Sequence, residues 1–338
     1  MNEHKKYLRN SPMPPIVPAL DFLADRIQEP PQVIHGVIRA GQVGMMAASS
    51  KAGKSWALLS LAYSVANGTE WLDWQTTKGR VLYINAELPA YDLQARLDTI
   101  SSTKQHGPEL IDVWHLRGQG RAIKALIPAI LEAQDKNGNP YSLIIPDPLY
   151  CFGEGRDEND NAEQAKTMGE LSELAERSTA AVFAAHHFSK GNKSQTDHLD
   201  RASGAGMFAR AVDTFMTFTR LAEEDCYVVE TTTRSFVRPA AFGIRWKYPV
   251  WDVDASLDPD DLKKIGASQK AKKATADQLA SLIPSSGIRH KEFMATAAAR
   301  LGIGRSTFNA LLRECRSRRL LNEVTGLYTP CHSRGVLD

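Results

Sequence analysis

A short stretch between an apolar run and a helical pattern carries residues suited to phosphate binding. It reads AASSKAGKS, from Ala47 to Ser55. In such a loop, successive backbone N–H groups and the positive end of the next helix surround a polyphosphate. Lys54 would reach the β- and γ-phosphates of ATP, while the Ser55 hydroxyl would bind Mg²⁺. The nucleotide-binding residues that this pattern predicts are Ser50, Lys51, Ala52, Gly53, Lys54, Ser55 and Trp56.

The segments on either side of Gly53, Lys54 and Ser55 are more informative than this triplet, because the triplet by itself also arises by chance. Residues 43–47 form an apolar run typical of a buried strand, and residues 56–62 begin the pattern of an apolar-faced helix. Ala48 stands where the usual pattern has its first glycine. That position forms the entry of the loop and alanine adds only a methyl group, so we expect the phosphate cradle to persist.

Two acidic residues follow apolar runs elsewhere in the chain. Asp147 comes directly after residues 143–146, at the predicted carboxyl end of a strand, where sheets of α/β proteins bind ligands. We predict that it holds Mg²⁺ together with Ser55. Glu87 follows the run 81–86 and is predicted to take a proton from the water that attacks the γ-phosphate. The alternatives are a strand-end turn at Asp147 and a helix cap at Glu87.

A pair of histidines ends another apolar run, in the segment AAVFAAHHFSKG. Adjacent side chains on a strand point to opposite faces, so one of the two is expected to face the nucleotide. We assign His187, or alternatively His186, as a sensor of the γ-phosphate. The alternative is a strand-end histidine with no such role.

Cysteine usage and hydropathy predict a cytoplasmic protein with no membrane partner. The four cysteines contain no CxxC pair, which argues against a disulfide framework or a zinc site. No stretch reaches the roughly 18–20 apolar residues of a membrane span, and the first residues lack the apolar core of a signal peptide.

Apolar runs alternate with helical patterns over most of the chain, which predicts an α/β fold around a mostly parallel sheet. No helical pattern separates the last three runs, so we expect antiparallel strands that extend one edge of the sheet. The predicted strands are residues 43–47, 81–86, 111–116, 142–146, 180–185, 214–219, 227–232 and 242–247.

Composition divides the chain into an N-terminal arm (1–32), an ATPase domain (33–254), a linker (255–275) and a small basic domain (276–338). The formal net charge is +2, but residues 262–338 hold fourteen Lys and Arg against five Asp and Glu. This asymmetry favours a polyanionic partner such as DNA, and a merely solvated basic tail is the alternative.

The basic domain shows three helical patterns followed by a hairpin pattern, as in a winged helix. In ARLGIGRSTFNALL, Gly302 and Gly304 would form the turn of a helix-turn-helix, with Arg305 opening the second helix. The arginines that would contact phosphates are Arg305, Arg313, Arg316, Arg318 and Arg319. The alternative is a winged helix that docks on protein.

Five segments together resemble the RepA-type ATPases of the RecA superfamily, ring-forming replicative helicases of plasmids and related mobile elements. They are ASSKAGKS, ANGTEWLDWQTTKGRVLYINAEL, LIIPDPLY, AAHHFSKG and DRASGAGMFARAVDTFMTF. The most specific features are the glutamate that closes GRVLYINAE and the histidine pair followed by SKG and a glycine-rich RASGAG. The resemblance implies a RecA-like core and a hexamer with ATP between neighbouring subunits.

The resemblance also implies residues that act between subunits and on DNA. A basic residue of one subunit would complete the next subunit's site, and Arg234 is the first choice, with Arg238 second. Residues 189–200 would face the central channel, where Lys190 and Lys193 would follow the phosphates of single-stranded DNA. An ordinary surface arginine and an ordinary surface loop are the alternatives.

These features predict an ATP-dependent DNA motor, a ring-forming replicative helicase. The alternative is a DNA-binding regulator or replication accessory protein that ATP controls without motor activity. DNA-stimulated ATP hydrolysis with strand displacement would favour the motor, and slow turnover indifferent to DNA would favour the regulator.

Overall fold

The computed structural model of the chain forms two compact units, Met1–Ile265 and Gly266–Asp338. The described residues are 15–49, 51–153, 160–187, 210–221, 223–259, 274–301, 303, 305–318, 320–324 and 326–331.

The strands of the first unit are β1 (Gln32–Ile34), β2 (Ile38–Arg39), β3 (Val43–Ala48), β4 (Arg80–Asn85), β5 (Ile111–His115), β6 (Tyr141–Asp147), β7 (Ala181–His187), β8 (Thr214–Arg220), β9 (Cys226–Thr233), β10 (Phe242–Lys247) and β11 (Val250–Val253). Its helices are α1 (Ala19–Ala24), α2 (Lys54–Asn67), α3 (Ala90–Lys104), α4 (Ile123–Asn137) and α5 (Asn161–Ser178), with a 3-10 turn at Leu149–Phe152.

Among the described residues, one nine-stranded sheet runs through this unit in the order β11-β10-β9-β8-β3-β7-β6-β4-β5. The strands from β8 to β5 in this order are parallel, and β9, β10 and β11 continue the sheet in antiparallel fashion. The core is therefore a RecA-like α/β sheet, and the carboxyl ends of β3, β4, β6 and β7 lie along one edge.

Helices cover both faces of the sheet, and this explains why β3 is apolar throughout. Met46 and Ala48 pack with α2 and α3 on one face, whereas Met45 and Ala47 pack with α4 and α5 on the other. A strand buried on both sides cannot show the alternation of a half-exposed strand.

The eight predicted strands are all present, with ends within two residues of the prediction. The last three predicted strands, β8, β9 and β10, pair antiparallel with one another on one side of the sheet, as predicted, and β8 joins them to the core by running parallel to β3. The connection between His187 and Thr214 is long enough for such a parallel crossover.

The second unit contains the helices α6 (Ala276–Ala280), α7 (His290–Leu301) and α8 (Arg305–Ser317) and the strands β12 (Ile288–Arg289), β13 (Leu321–Val324) and β14 (Leu327–Pro330). Its small sheet has the order β12-β14-β13. Phe293 and Phe308 meet edge to face at 5.2 Å in a separate core, so this unit has its own apolar centre. None of the helices in the described parts of the chain is long and apolar enough to cross a membrane.

Candidate functional site

The loop between β3 and α2 has a backbone suited to binding an anion. Lys51 and Gly53 both adopt left-handed conformations, with φ of 61° and 72°. Gly53 is the N-cap of α2, and no described side chain caps this helix. The N–H groups of the first turn lie at a helix end that carries positive partial charge. Ser50 lies outside the described residues.

The Lys54 side chain lies beneath this loop and is almost completely buried. Its Nζ donates to the carbonyl oxygens of Ala48 at 3.0 Å and Ser49 at 2.9 Å. Burial lowers the pKa of Lys54 to about 8, while the negative charges of Asp147 and Glu87 act to raise it. The ammonium group is thus held beneath the loop by two carbonyl oxygens, with two acids close enough to act on its charge.

Asp147 ends β6 and is buried beside the first turn of α2. The Tyr83 hydroxyl donates to Asp147 Oδ2 at 2.5 Å, and the Ser55 hydroxyl lies close enough to the carboxylate to act on its pKa. Burial raises the pKa of Asp147, whereas the Tyr83 and Ser55 hydroxyls and the charge of Lys54 act to lower it. The structure therefore brings together the two residues predicted as metal ligands.

Glu87 lies just beyond the end of β4, which neighbours β6. Buried Asn85 holds this turn, because its Oδ1 accepts from the backbone N–H groups of Glu87 at 3.3 Å and Leu88 at 2.9 Å. The Glu87 side chain is exposed, and its negative charge acts to raise the pKa of Tyr150. Its charge acts on both Lys54 and Asp147.

These oxygen donors suit Mg²⁺. Magnesium prefers hard oxygen ligands and is commonly held by one or two carboxylates together with substrate phosphates and water. The Ser55 hydroxyl and the Asp147 carboxylate provide such donors. Within the described parts of the chain, no group of three or more His, Cys, Asp or Glu could hold a metal ion.

An aromatic cluster lies against the loop and the first turn of α2. The Trp56 ring meets Tyr248 at 5.4 Å and Trp246 at 6.0 Å. The Arg96 guanidinium lies 4.8 Å from the centre of the same ring. Trp251 packs so closely on Gly53 that a Cβ there would come within 2.9 Å of the indole. The hairpin formed by β10 and β11 therefore supports the loop, and Gly53 is required both by its φ and by this contact.

The histidine pair ends β7, next to β3. In the parallel register His187 lies opposite Ala48 and His186 opposite Ala47. The backbone of His187 is thus adjacent to the entry of the loop, at the same edge of the sheet as Asp147. Its side chain and residues 188–209, which include Lys190 and Lys193, lie outside the described residues.

Arg234 lies at the other end of the sheet. Its guanidinium pairs with Asp213 at 3.2 Å, and Asp213 Oδ2 accepts from the N–H of Val43, the first residue of β3. The six residues of β3 span about 17 Å, so Arg234 is too far from Lys54 to act on the same nucleotide. Its role towards a neighbouring subunit stays a prediction.

Three residues of this site were missed from the sequence: Tyr83, Asn85 and Tyr150. Asn85 carried a usable signal, because a polar residue that ends an apolar strand is typical of the ligand-binding edge. Tyr83 carried none, since an aromatic residue within an apolar strand is ordinary core.

Comparisons with known proteins give one family and two similar structures. A family model described as AAA domain matches residues 9–193, more than half of the chain. The structure is similar to that of a DnaB-like replicative helicase, with a TM-score of 0.51 and 13% identity over 68% of this chain and 64% of the helicase chain. It is also similar to a KaiC-like protein from Pyrococcus horikoshii OT3, with a TM-score of 0.46 and 10% identity over 66% of this chain and 93% of that one. No curated protein matches the chain. At such identities, the likeness to the helicase shows the fold alone.

Proposed function

Because the chain belongs to the AAA domain family, we propose that it is a P-loop ATPase that hydrolyses ATP at the loop around Lys54 and drives movement on DNA. One observation carries this proposal: Lys54, the Ser55–Asp147 pair and Glu87 converge at one edge of the sheet, and the charges of both acids act on Lys54. This is the set of a cation, a metal-binding pair and a base that phosphoryl transfer to water requires.

The mechanism assigns one task to each side chain. The N–H groups of residues 51–56 bind the phosphates, and the Lys54 ammonium neutralises charge at the β- and γ-phosphates. Ser55 and Asp147 would hold Mg²⁺, which supplies further neutralisation of phosphate charge when bound. Glu87 accepts the proton of the attacking water. The exposure of Glu87 leaves it accessible to water, and Asn85 limits the movement of its backbone.

We further propose that the chain acts as a ring, as the resemblance to RepA-type helicases implies. In this arrangement Arg234 of one subunit reaches the nucleotide of the next, which fits its distance from its own loop. It would have to exchange its pairing with Asp213 for the phosphate. His187 would report the state of the γ-phosphate from β7, and single-stranded DNA would pass through the ring.

The motor and the ATP-controlled regulator differ in what DNA does to turnover. For a motor we expect single-stranded DNA to stimulate ATP hydrolysis, strand displacement on a forked duplex, and an ATP-dependent increase in particle mass to that of a ring. The regulator would assemble with ATP but turn over slowly whether or not DNA is present. Hydrolysis and particle mass measured on one preparation, with and without DNA, therefore separate the two functions.

We propose that the second unit is a winged helix that binds duplex DNA through α8. Arg316 pairs with Glu323 at 2.6 Å, and Arg318 pairs with Asp277 at 2.9 Å. Both arginines would have to exchange an intramolecular ion pair for a phosphate. Arg313 is exposed on α8, so it is the first arginine to test.

Removal of residues 262–338 is expected to weaken binding to duplex DNA by at least about tenfold and to reduce its salt dependence, because phosphate contacts by arginine release counterions. Basal ATP hydrolysis should stay within about twofold of the full chain, because the ATP site lies in the other unit. Duplex affinity is measured by fluorescence anisotropy at two salt concentrations. Unchanged affinity in the truncated protein would show that the basic unit does not contact DNA.

The affinity for metal-free ATP is expected to fall as the pH rises above about 8. Below that pH Lys54 is protonated in the empty site, whereas above it the neutral lysine must take up a proton before it can pair with phosphate. ATP titrations in EDTA between about pH 7 and about pH 9.5 measure this dependence. Lys54→Ala should remove the dependence, and a flat profile for the wild-type protein would contradict the prediction.

A further inference from the structure

The contact between Tyr83 and Asp147 gives the candidate metal site a component that no sequence pattern marks. Tyr83 lies opposite Ile145 in the parallel register of β4 and β6, two positions before Asp147. Its ring is fully buried in the core, and its hydroxyl donates to Asp147 Oδ2 at 2.5 Å. The tyrosine therefore reaches along the sheet, towards its ligand-binding edge, to contact the carboxylate.

This hydrogen bond acts on the Asp147 carboxylate, which is almost inaccessible to solvent. Asp147 is 4% exposed, and a buried carboxylate is stable only when its oxygens accept hydrogen bonds or meet opposite charge. Tyr83 supplies a hydrogen bond from the core, and the Ser55 hydroxyl acts on the carboxylate from the side of the loop. The Tyr83 ring is enclosed in the core cluster, so its hydroxyl is a fixed donor.

We propose that Tyr83 is a positioning residue that holds the Asp147 carboxylate in the orientation in which it and Ser55 bind Mg²⁺. This inference rests on the proposed ATPase function. The tyrosine does not touch the nucleotide in this proposal. Partners of metal-ligating carboxylates act in this way, and their removal weakens metal binding about 10- to 100-fold.

A second tyrosine–aspartate pair in the same sheet provides a matched comparison. The Tyr141 hydroxyl donates to Asp112 Oδ2 at 2.6 Å, at the amino-terminal end of β6 and away from the loop. Asp112 is also paired with the Arg80 guanidinium, which lies 4.5 Å from the centre of the Tyr141 ring. Tyr141→Phe therefore removes the same kind of tyrosine–aspartate hydrogen bond as Tyr83→Phe, but at a place away from the candidate metal site.

The test compares Tyr83→Phe with Tyr141→Phe in the full chain. Two equilibrium quantities are measured: the affinity for ATP in EDTA, and the Mg²⁺ concentration that half-saturates the ATP-loaded protein. For Tyr83→Phe we expect ATP affinity in EDTA within about twofold of wild type and a rise in the Mg²⁺ half-saturation of about tenfold. Tyr141→Phe should match wild type in both quantities. The Mg²⁺ dependence of kcat should shift in parallel with the binding curve.

Wild-type Mg²⁺ binding in Tyr83→Phe would overturn the inference while leaving the ATPase proposal intact. If the wild-type protein binds no ATP, the ATPase proposal itself fails. Tyr83→Phe would fold poorly if the buried Asp147 carboxylate could not tolerate the loss of its donor. A double-mutant cycle with Asp147→Asn covers this case, because asparagine carries no charge and the double variant therefore contains no buried carboxylate that lacks a donor. In the Asp147→Asn background, Tyr83→Phe should cause no further loss of Mg²⁺ affinity. A further tenfold loss would show that Tyr83 acts independently of Asp147 and would also overturn the inference.

Discussion

Lys54→Ala is expected to raise the dissociation constant for ATP by at least about 100-fold and to abolish hydrolysis. A hydrogen bond to a charged group contributes about 1.5–3 kcal/mol, and Lys54 would reach two phosphates, so the loss is about 3–6 kcal/mol. The effect should be large because this ammonium is buried beneath the loop, where water screens its charge poorly. Equilibrium titration with ATP, followed through tryptophan fluorescence, measures it.

Lys51→Ala is the matched control for this substitution. Lys51 lies on the same loop, but its side chain is exposed and its predicted contribution comes from the backbone N–H. We expect its affinity for ATP to change by less than about threefold, since an exposed charge is screened by solvent. Equal losses from the two substitutions would show that the general positive charge of the loop, and not the buried ammonium, binds the nucleotide.

Glu87→Gln is expected to lower the rate of hydrolysis by about 10²- to 10⁴-fold while ATP still binds. Glutamine has the size of glutamate and leaves the backbone hydrogen bonds to Asn85 in place, so the geometry of the turn should persist, but it cannot take a proton from water. Single-turnover hydrolysis and ATP affinity are measured on the same preparation. The rate should fall while the dissociation constant stays within about threefold of wild type.

Comparison of Glu87→Gln with Asp92→Asn distinguishes a catalytic role of Glu87 from a role in capping the helix. Asp92 is the acidic residue in the first turn of α3, the helix that follows Glu87. If Glu87 acted only on the dipole of that helix, both substitutions would lower stability by a few tenths of a kcal/mol and neither would affect the rate. Hydrolysis at the wild-type rate in Glu87→Gln would therefore exclude Glu87 as the base.

The sheet was predictable because its strands are uniformly apolar and separated by helical patterns. The edge strand β11 was not predicted, because four residues after a proline give too short a pattern. Its position depends on tertiary packing, in which Trp251 meets Gly53 from 198 residues away in sequence. Sequence periodicity contains no information about such a contact.

The positions of the site acids were predictable from topology, whereas their partners were not. Asp147 and Glu87 each follow a strand, and parallel strands end at a common edge. The Tyr83–Asp147 hydrogen bond joins residues 64 positions apart, and it depends on the register of β4 against β6. The intramolecular pairing of Arg316 and Arg318 depends in the same way on the folded second unit. For this reason, the sequence alone identified these two arginines as basic residues but did not predict their ion pairs.

The most direct test of the ATPase site is a crystal structure of the Glu87→Gln protein with ATP and Mg²⁺. We predict the triphosphate on the N–H groups of residues 51–56, the Lys54 ammonium on the β- and γ-phosphates, and the metal held by Ser55 and Asp147. A nucleotide bound elsewhere on the chain, or a γ-phosphate directed away from residue 87 and Asp147, would contradict this account.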